Sequence, residues 1–196
     1  MAQRREAISE AERTGIDFRA VAKVAQRVQL ADVRLTWSQV GRFAEFEQIS
    51  ADWPERAFGS FDSHAALASA EDGGGSLVAQ CFFTLHFFAG LDSRQISEPP
   101  EASEESPPAL ALEAVFELIY ELDDASGIEE SDVENFAIAN ATHNAWPYWR
   151  EFAQSATLRL RVPTYIAPPF KLPSADDPKP AEVEPSGETE AGEGAA

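Results

Sequence analysis

The chain has 196 residues, 44 % of them hydrophobic, which is enough for one core domain with terminal segments outside it. Its formal net charge of −19 argues against nucleic acid, because phosphates call for a positive surface. The single cysteine, Cys81, excludes an intrachain disulfide, and no stretch approaches the ~20 apolar residues of a membrane-spanning helix.

Residues 3–28 read as an amphipathic helix with a weak point at Gly15 and an apolar side of Phe18, Val21, Ala22, Val24 and Ala25. Three roles stand open for it: an arm packed on its own domain, a partner-binding arm, or a frayed end. No apolar run follows Arg4, Arg5 and Arg13, so the start does not read as a secretory signal, and a cytoplasmic location is the expectation.

Residues 28–40 alternate as a strand. Val33, Leu35 and Trp37 are expected on one face, Asp32, Arg34 and Thr36 on the other, with a bulge where the alternation slips at Leu30–Ala31. Residues 41–60 hold Phe43, Phe46, Ile49, Trp53 and Phe58, many large apolar groups for a connection. They suit either the edge of a core or an exposed groove. A weaker strand runs from Phe61 to Ala70, and Glu71 to Gly75 is a turn without the Lys-Ser/Thr of a phosphate loop.

Residues 76–89 form the most apolar strand. Leu77, Cys81, Phe83, Leu85 and Phe87 share one face; Val78, Phe82 and Phe88 share the other. Such a strand wants cover on both sides. Residues 92–108 read as an exposed acidic loop. The strand at 110–122 alternates cleanly, with Leu110, Leu112, Ala114, Phe116, Leu118, Tyr120 and Leu122 inward and Glu113, Glu117 and Glu121 among the outward residues.

A long helix is expected over 131–162, capped by Ser131 with Glu134 and interrupted at Pro147 by a kink or a restart. Pro163 is expected to stop it. The chain then crosses as an extended Pro-rich segment anchored by Tyr165, Ile166 and Phe170, and ends in an acidic tail expected to be disordered. The domain plan is an arm at 1–27, a sheet-and-helix domain at 28–170 and a tail at 171–196.

Signals for catalysis are weak. His64, His86 and His143 share no short metal-binding spacing, Cys81 has no neighbouring base, and carboxylate pairs are too abundant to single one out. The reading is of a non-enzyme with no cofactor and no metal. Charge is polarised: Arg94 is the only cation between Ala57 and Trp149, against seventeen Asp and Glu. Thirteen Phe and four Trp exceed what one small core obviously needs, so an exposed aromatic surface for unfolded polypeptide competes with plain subunit packing.

Trp146-Pro147-Tyr148-Trp149-Arg150-Glu151 resembles the aromatic-Pro-Tyr-Ala-Arg-Glu stretch of the protein-export chaperone SecB and its relatives. Arg161 to Pro163 and Ala167-Pro168-Pro169-Phe170 resemble that family's crossing segment, and Asp32 to Trp37 stands where it has Asp-Ile-Ser-Phe. The likeness spans about residues 25–170. It implies an α+β fold, a four-stranded antiparallel sheet followed by a long helix, assembled as a dimer of dimers. The implied activity is an ATP-independent holdase for unfolded polypeptides, either secretory precursors handed to the Sec motor ATPase or an antitoxin. The Trp-Pro-Tyr-Trp-Arg-Glu version is closer to the toxin–antitoxin branch.

On this resemblance Phe136, Asn140, Trp146, Pro147, Tyr148, Trp149 and Phe152 belong to the assembly helix, and Glu113, Glu117 and Glu121 to a docking face for a basic partner. The bottom-up candidates for apolar client contacts are Trp37, Phe43, Phe46, Trp53, Phe82 and Phe88. The family's C-terminal lid helix has no counterpart in the sequence after Lys171. The alternative reading is a non-chaperone interaction protein that uses the same scaffold for one dedicated partner.

Overall fold

A computed structural model describes residues 15–44, 57–70, 74–88 and 108–172. Its elements are α1 (Phe18–Ala25), β1 (Val28–Arg42), β2 (Ala57–Ser69), β3 (Gly75–Phe87), β4 (Leu110–Leu122), α2 (Glu130–Phe136), a π-helical turn (Ala137–Ala141) and α3 (Thr142–Arg159). The four strands make one antiparallel sheet in the order β1-β4-β3-β2. The α+β class and the strands-then-helix order stand as expected. The first two strands, adjacent in sequence, lie at opposite edges of the sheet.

Helices cover one face of the sheet, and that face is the core. Leu77, Cys81, Leu85 and Phe87 of β3 and Leu110, Leu112, Leu118 and Tyr120 of β4 are all buried, with Phe136, Ala145, Trp149 and Ala153 above them. The central strands need long apolar runs because helices seal them from above and strands flank them on both sides. The edge strand β1 is exposed along nearly its whole length.

Several boundaries differ from the sequence reading. The second strand starts at Ala57 rather than Phe61, so Phe58 is a strand residue pairing with His86, not part of a connection. In β1 the expected bulge is present between Leu30 and Asp32, and a second lies between Leu35 and Trp37. An extra residue reverses the alternation beyond it. Trp37 therefore pairs with Val115 and shares the outer face with Glu113 and Glu117, while Leu35 pairs with Phe116 on the helix side.

The helix begins one residue earlier than expected. Glu129 is the N-cap, and Asp132 completes the capping box by accepting from the Glu129 N–H at 2.9 Å. No restart occurs at Pro147, since α3 runs through it. The irregularity comes earlier, where the Thr142 N–H reaches back five residues to the Ala137 carbonyl. The Thr142 hydroxyl lies 3.1 Å from that same carbonyl and 3.0 Å from the buried Ser63 hydroxyl of β2. Burial pushes the nearby Cys81 thiol up to about 12, so it stays protonated at neutral pH.

Pro163 is not what ends α3. Arg161 turns left-handed at φ 56°, and the Val162 N–H closes on the Thr157 carbonyl at 3.2 Å, which is a Schellman ending.

Helix α1 is short because Gly15, at φ 68°, turns the chain just before it and Asp17 caps it through bonds from the Arg19 and Ala20 N–H groups. It packs on α2. Val24 is fully buried, Lys23 pairs with Asp132, and the Asp17 N–H donates to Asn135 Oδ1 at 2.7 Å. Residues 3–14 of the expected helix, residues 92–107 of the expected acidic loop and the tail from 173 lie outside the described residues.

Candidate polypeptide-binding surface

The two flanks of α3 are unlike. On the β2 side, residues 163–172 run back along the helix and cover it. Trp146 Nε1 donates to the Pro168 carbonyl at 2.9 Å, and Arg150 Nε to the Ala167 carbonyl at 3.0 Å. Phe170 packs edge-on against Phe61 at 5.6 Å and at 5.4 Å from Trp146. Of the three expected anchors, Tyr165 and Phe170 are half-buried and Ile166 is exposed, because Ala167 faces inward in its place.

On the β1 side nothing among the described residues covers the helix. Asn140, Asn144, Tyr148 and Phe152 recur at four-residue spacing on the side away from Thr142, Trp146 and Arg150. The strand β1 supplies the facing wall. Phe116 of β4 links the two, since it pairs with Leu35 in register and lies 6.4 Å from the Tyr148 ring and 6.5 Å from Phe152. Tyr120 does the same further along, pairing with Leu30 and accepting a hydrogen bond from Asn144 Nδ2 at 3.0 Å. Leu35 is 48 % exposed, Val40 41 % and Tyr148 46 %, and Leu30 is also open. The Arg42 guanidinium reaches the Leu160 carbonyl at 3.5 Å near one end of this flank, and α1 sits near the other.

Burial pushes the Tyr120 phenol up to about 12, against the lowering effect of the Asn144 bond, so the hydroxyl stays neutral at pH 7.

The outer face of the sheet carries a second, smaller apolar strip. Register places Trp37, Val115 and Phe82 in one row and Ile119 and Val78 two rows on, with the polar row of Arg34, Glu117 and Gln80 between them. His64 stacks on Phe82 at 5.3 Å. Around the strip stand the expected carboxylates. Glu113 lies 2.9 Å from His86 Nε2, Glu117 accepts from Gln80 Nε2 at 3.5 Å, and Glu121 is exposed. Arg34 pairs with Asp32 at 2.7 Å beside them.

The sequence candidates thus divide among different surroundings. Trp37 and Phe82 share the outer strip; Phe43 is 61 % exposed just beyond β1. Phe88 is buried edge-on against Phe58 at 6.0 Å. Phe46 and Trp53 lie outside the described residues. Of the helix set, Phe136 is fully buried against Tyr120, and Trp149 is stacked on Phe83 at 5.4 Å, so both rings are used inside the subunit. Trp146 belongs to the Phe61–Phe170 cluster, Asn140 and Phe152 are half-buried on the open flank, and Pro147 and Tyr148 are exposed.

Leu30, Leu35 and Val40 are not among the candidate contact residues in the sequence, because each looks like an ordinary core residue until the helix is placed. Among the described residues no three His, Cys, Asp or Glu side chains come together in a metal-binding arrangement, and no helix is long and apolar enough to cross a membrane.

No protein-family model matches this sequence, and neither does any curated protein. Among solved structures, the chain is similar to the Mycobacterium tuberculosis SecB-like chaperone Rv1957 in complex with a ChAD peptide from the Rv1956 HigA1 antitoxin. The TM-score is 0.55 at 15 % identity, covering 79 % of this chain and 99 % of that one. A protein of unknown function from Streptococcus agalactiae matches at 12 % identity with a TM-score of 0.38, covering 72 % of this chain and 96 % of that one. The first likeness is one of architecture: four antiparallel strands and the helices that follow are arranged here as in a SecB-like chaperone.

Proposed function

We propose that the protein is an ATP-independent holdase that keeps unfolded polypeptide from aggregating. The observation that carries this reading is the open apolar flank between α3 and β1, with Leu35, Val40 and Tyr148 each two-fifths or more exposed. A surface of that kind binds by removing apolar area from water, which discriminates little between sequences and consumes no nucleotide. The acidic chain keeps such a surface soluble. The SecB-like architecture supports the reading, and the peptide-bound Rv1957 structure makes an antitoxin a reasonable client class beside secretory precursors.

The reading divides the candidate residues between two faces. Leu30, Leu35, Val40, Tyr148 and Phe152 hold the client, with Phe43 at the rim. Trp37 and Phe82, with Glu113, Glu117 and Glu121 around them, form a docking face for a basic partner such as a Sec motor. Assembly into a dimer of dimers uses the solvent side of α3 at Pro147. The site of action is the cytoplasm, with no cofactor.

The test is aggregation of two unrelated unfolded proteins, without nucleotide, with complex mass read by light scattering. Suppression of both is expected. Failure to suppress either would remove the holdase and leave a binder with one dedicated partner.

A further inference from the structure

We propose that Arg42, Arg159 and Arg161 form a docking patch for an acidic segment, and that its occupant is this chain's own tail at residues 173–196. Arg42 is the last residue of β1, Arg159 is the last of α3, and Arg161 stands two residues beyond it. The Arg42 guanidinium reaches the Leu160 carbonyl at 3.5 Å, which sets it beside the residue that separates the other two. All three arginines are exposed, and none forms an ion pair among the described residues. Lys23, Arg27 and Arg34, by contrast, each have a carboxylate partner. The patch lies at the ends of the strand and the helix rather than between them, so it does not depend on what covers the flank.

The helix end accounts for only part of this charge. One cation in the last turn, Arg159, offsets the free carbonyls of α3. Arg161 adopts φ 56°, where glycine is the usual residue, so the turn itself does not call for a long cationic side chain there. In a chain of net charge −19, three arginines without carboxylates attract acidic surfaces, including Glu113, Glu117 and Glu121 of another copy.

The tail has the complementary charge and the reach. It carries Asp176, Asp177, Glu182, Glu184, Glu188, Glu190 and Glu193 against one cation, Lys179. Phe170 packs 5.4 Å from Trp146, so the tail departs near that part of α3. From Trp146 to Leu160 the helix rises about 21 Å. The residues from 173 to Glu182 span about 33 Å when extended, enough to bring the later carboxylates to the patch. A single exposed ion pair contributes little, but several carboxylates on one tether engage three guanidinium forks together. The docked tail keeps the patch from the acidic face of a second copy, and so opposes head-to-tail association.

The test compares the wild-type full chain with a synthetic peptide of residues 172–196. Both are digested with glutamyl endopeptidase, and tail cleavage is timed by mass spectrometry. At about 20 mM salt the tail of the protein should be cut severalfold more slowly than the peptide, and at about 0.5 M salt at the same rate. Arg159→Gln with Arg161→Gln should bring the low-salt rate up to that of the peptide. Equal rates for protein and peptide at both salts overturn the docking, and this comparison needs no variant to fold. Slow cleavage that the double variant retains overturns it as well.

Arg161→Lys keeps the charge and adds an amine that a water-soluble carbodiimide can join to a neighbouring carboxylate. A bond to Glu182, Glu184, Glu188 or Glu190 of the same chain is expected, with mixed isotope labels separating bonds within one chain from bonds between two. A bond only to residues 92–107, only to Glu113, Glu117 or Glu121 of a second copy, or to no carboxylate overturns the tail as occupant.

Discussion

Leu35 and Trp37 stand two residues apart on β1 yet face opposite sides of the sheet, because Leu35 pairs with Phe116 and Trp37 with Val115 across a bulge at Thr36. One inserted residue thereby splits two large apolar groups between the open flank and the acidic outer face. Leu35→Asp should weaken suppression of aggregation severalfold, and Trp37→Asp should leave it near wild type. Both side chains are about half exposed, so each change should alter stability by no more than about 1 kcal/mol. Equal loss of suppression in the two variants would show that the faces do not act separately.

Thr142 and Ser63 join the π-helical turn to the second strand inside the core. Thr142→Val leaves the Ser63 hydroxyl buried without that partner, at a cost of about 1–3 kcal/mol. Ser63→Ala removes the orphan, so the double variant should be less destabilised than the two single changes summed. Additive free energies in a urea-unfolding cycle would mean that the pair is not coupled.

Asp132 titrates below its ordinary value of 3.8, first because the Lys23 ammonium bonds to it and next because the Glu129 N–H does. A folded-state value below the unfolded one stabilises fully above the ordinary carboxylate range, and the contribution fades as pH falls through the folded value. Docking of α1 should therefore hold at neutral pH and weaken only below about pH 4, where unfolded Asp side chains protonate. Asp132→Asn should lose this part of the acid dependence. The readout is protease cleavage between Arg19 and Arg27 as a function of pH, using an acid-active protease. Superimposable wild-type and variant profiles would rule the pair out as the cause.

Trp149 and Trp146 face different neighbours and should respond differently. Trp149, 3 % exposed and stacked on Phe83, should cost roughly 3–5 kcal/mol when replaced by Ala. Trp146→Phe keeps an aromatic ring beside Phe61 and Phe170 but loses the bond to the Pro168 carbonyl, at a cost of about 0.5–1.5 kcal/mol. That variant should also make residues 163–172 easier to cleave. Cleavage at the wild-type rate would show that the indole N–H does not hold the crossing segment.

The local pattern alone settled a good deal. Strict alternation from Leu110 to Leu122 marked a strand with one buried face, and the structure has it with those bounds. The apolar spacing after Ser131 marked a helix, and the outward carboxylates of β4 marked an acidic face. Such patterns report how many faces a segment has and which is apolar, because period depends only on local backbone geometry.

What lies above a face is set by distant chain, and that only the tertiary structure decided. The order β1-β4-β3-β2 puts β1 at an edge, so Leu35 and Val40 are exposed although their alternation resembles that of a core strand. The crossing segment lies on one flank of α3 and leaves the other bare, so Trp146 is covered and Tyr148 is open two residues away. The Thr36 bulge and the Ala137–Ala141 turn are single-residue changes of register, fixed by pairing to β4 and by contact with Ser63. Local alternation carries no record of those partners, because it is the packing of remote segments that chooses which apolar face is covered and which is left open.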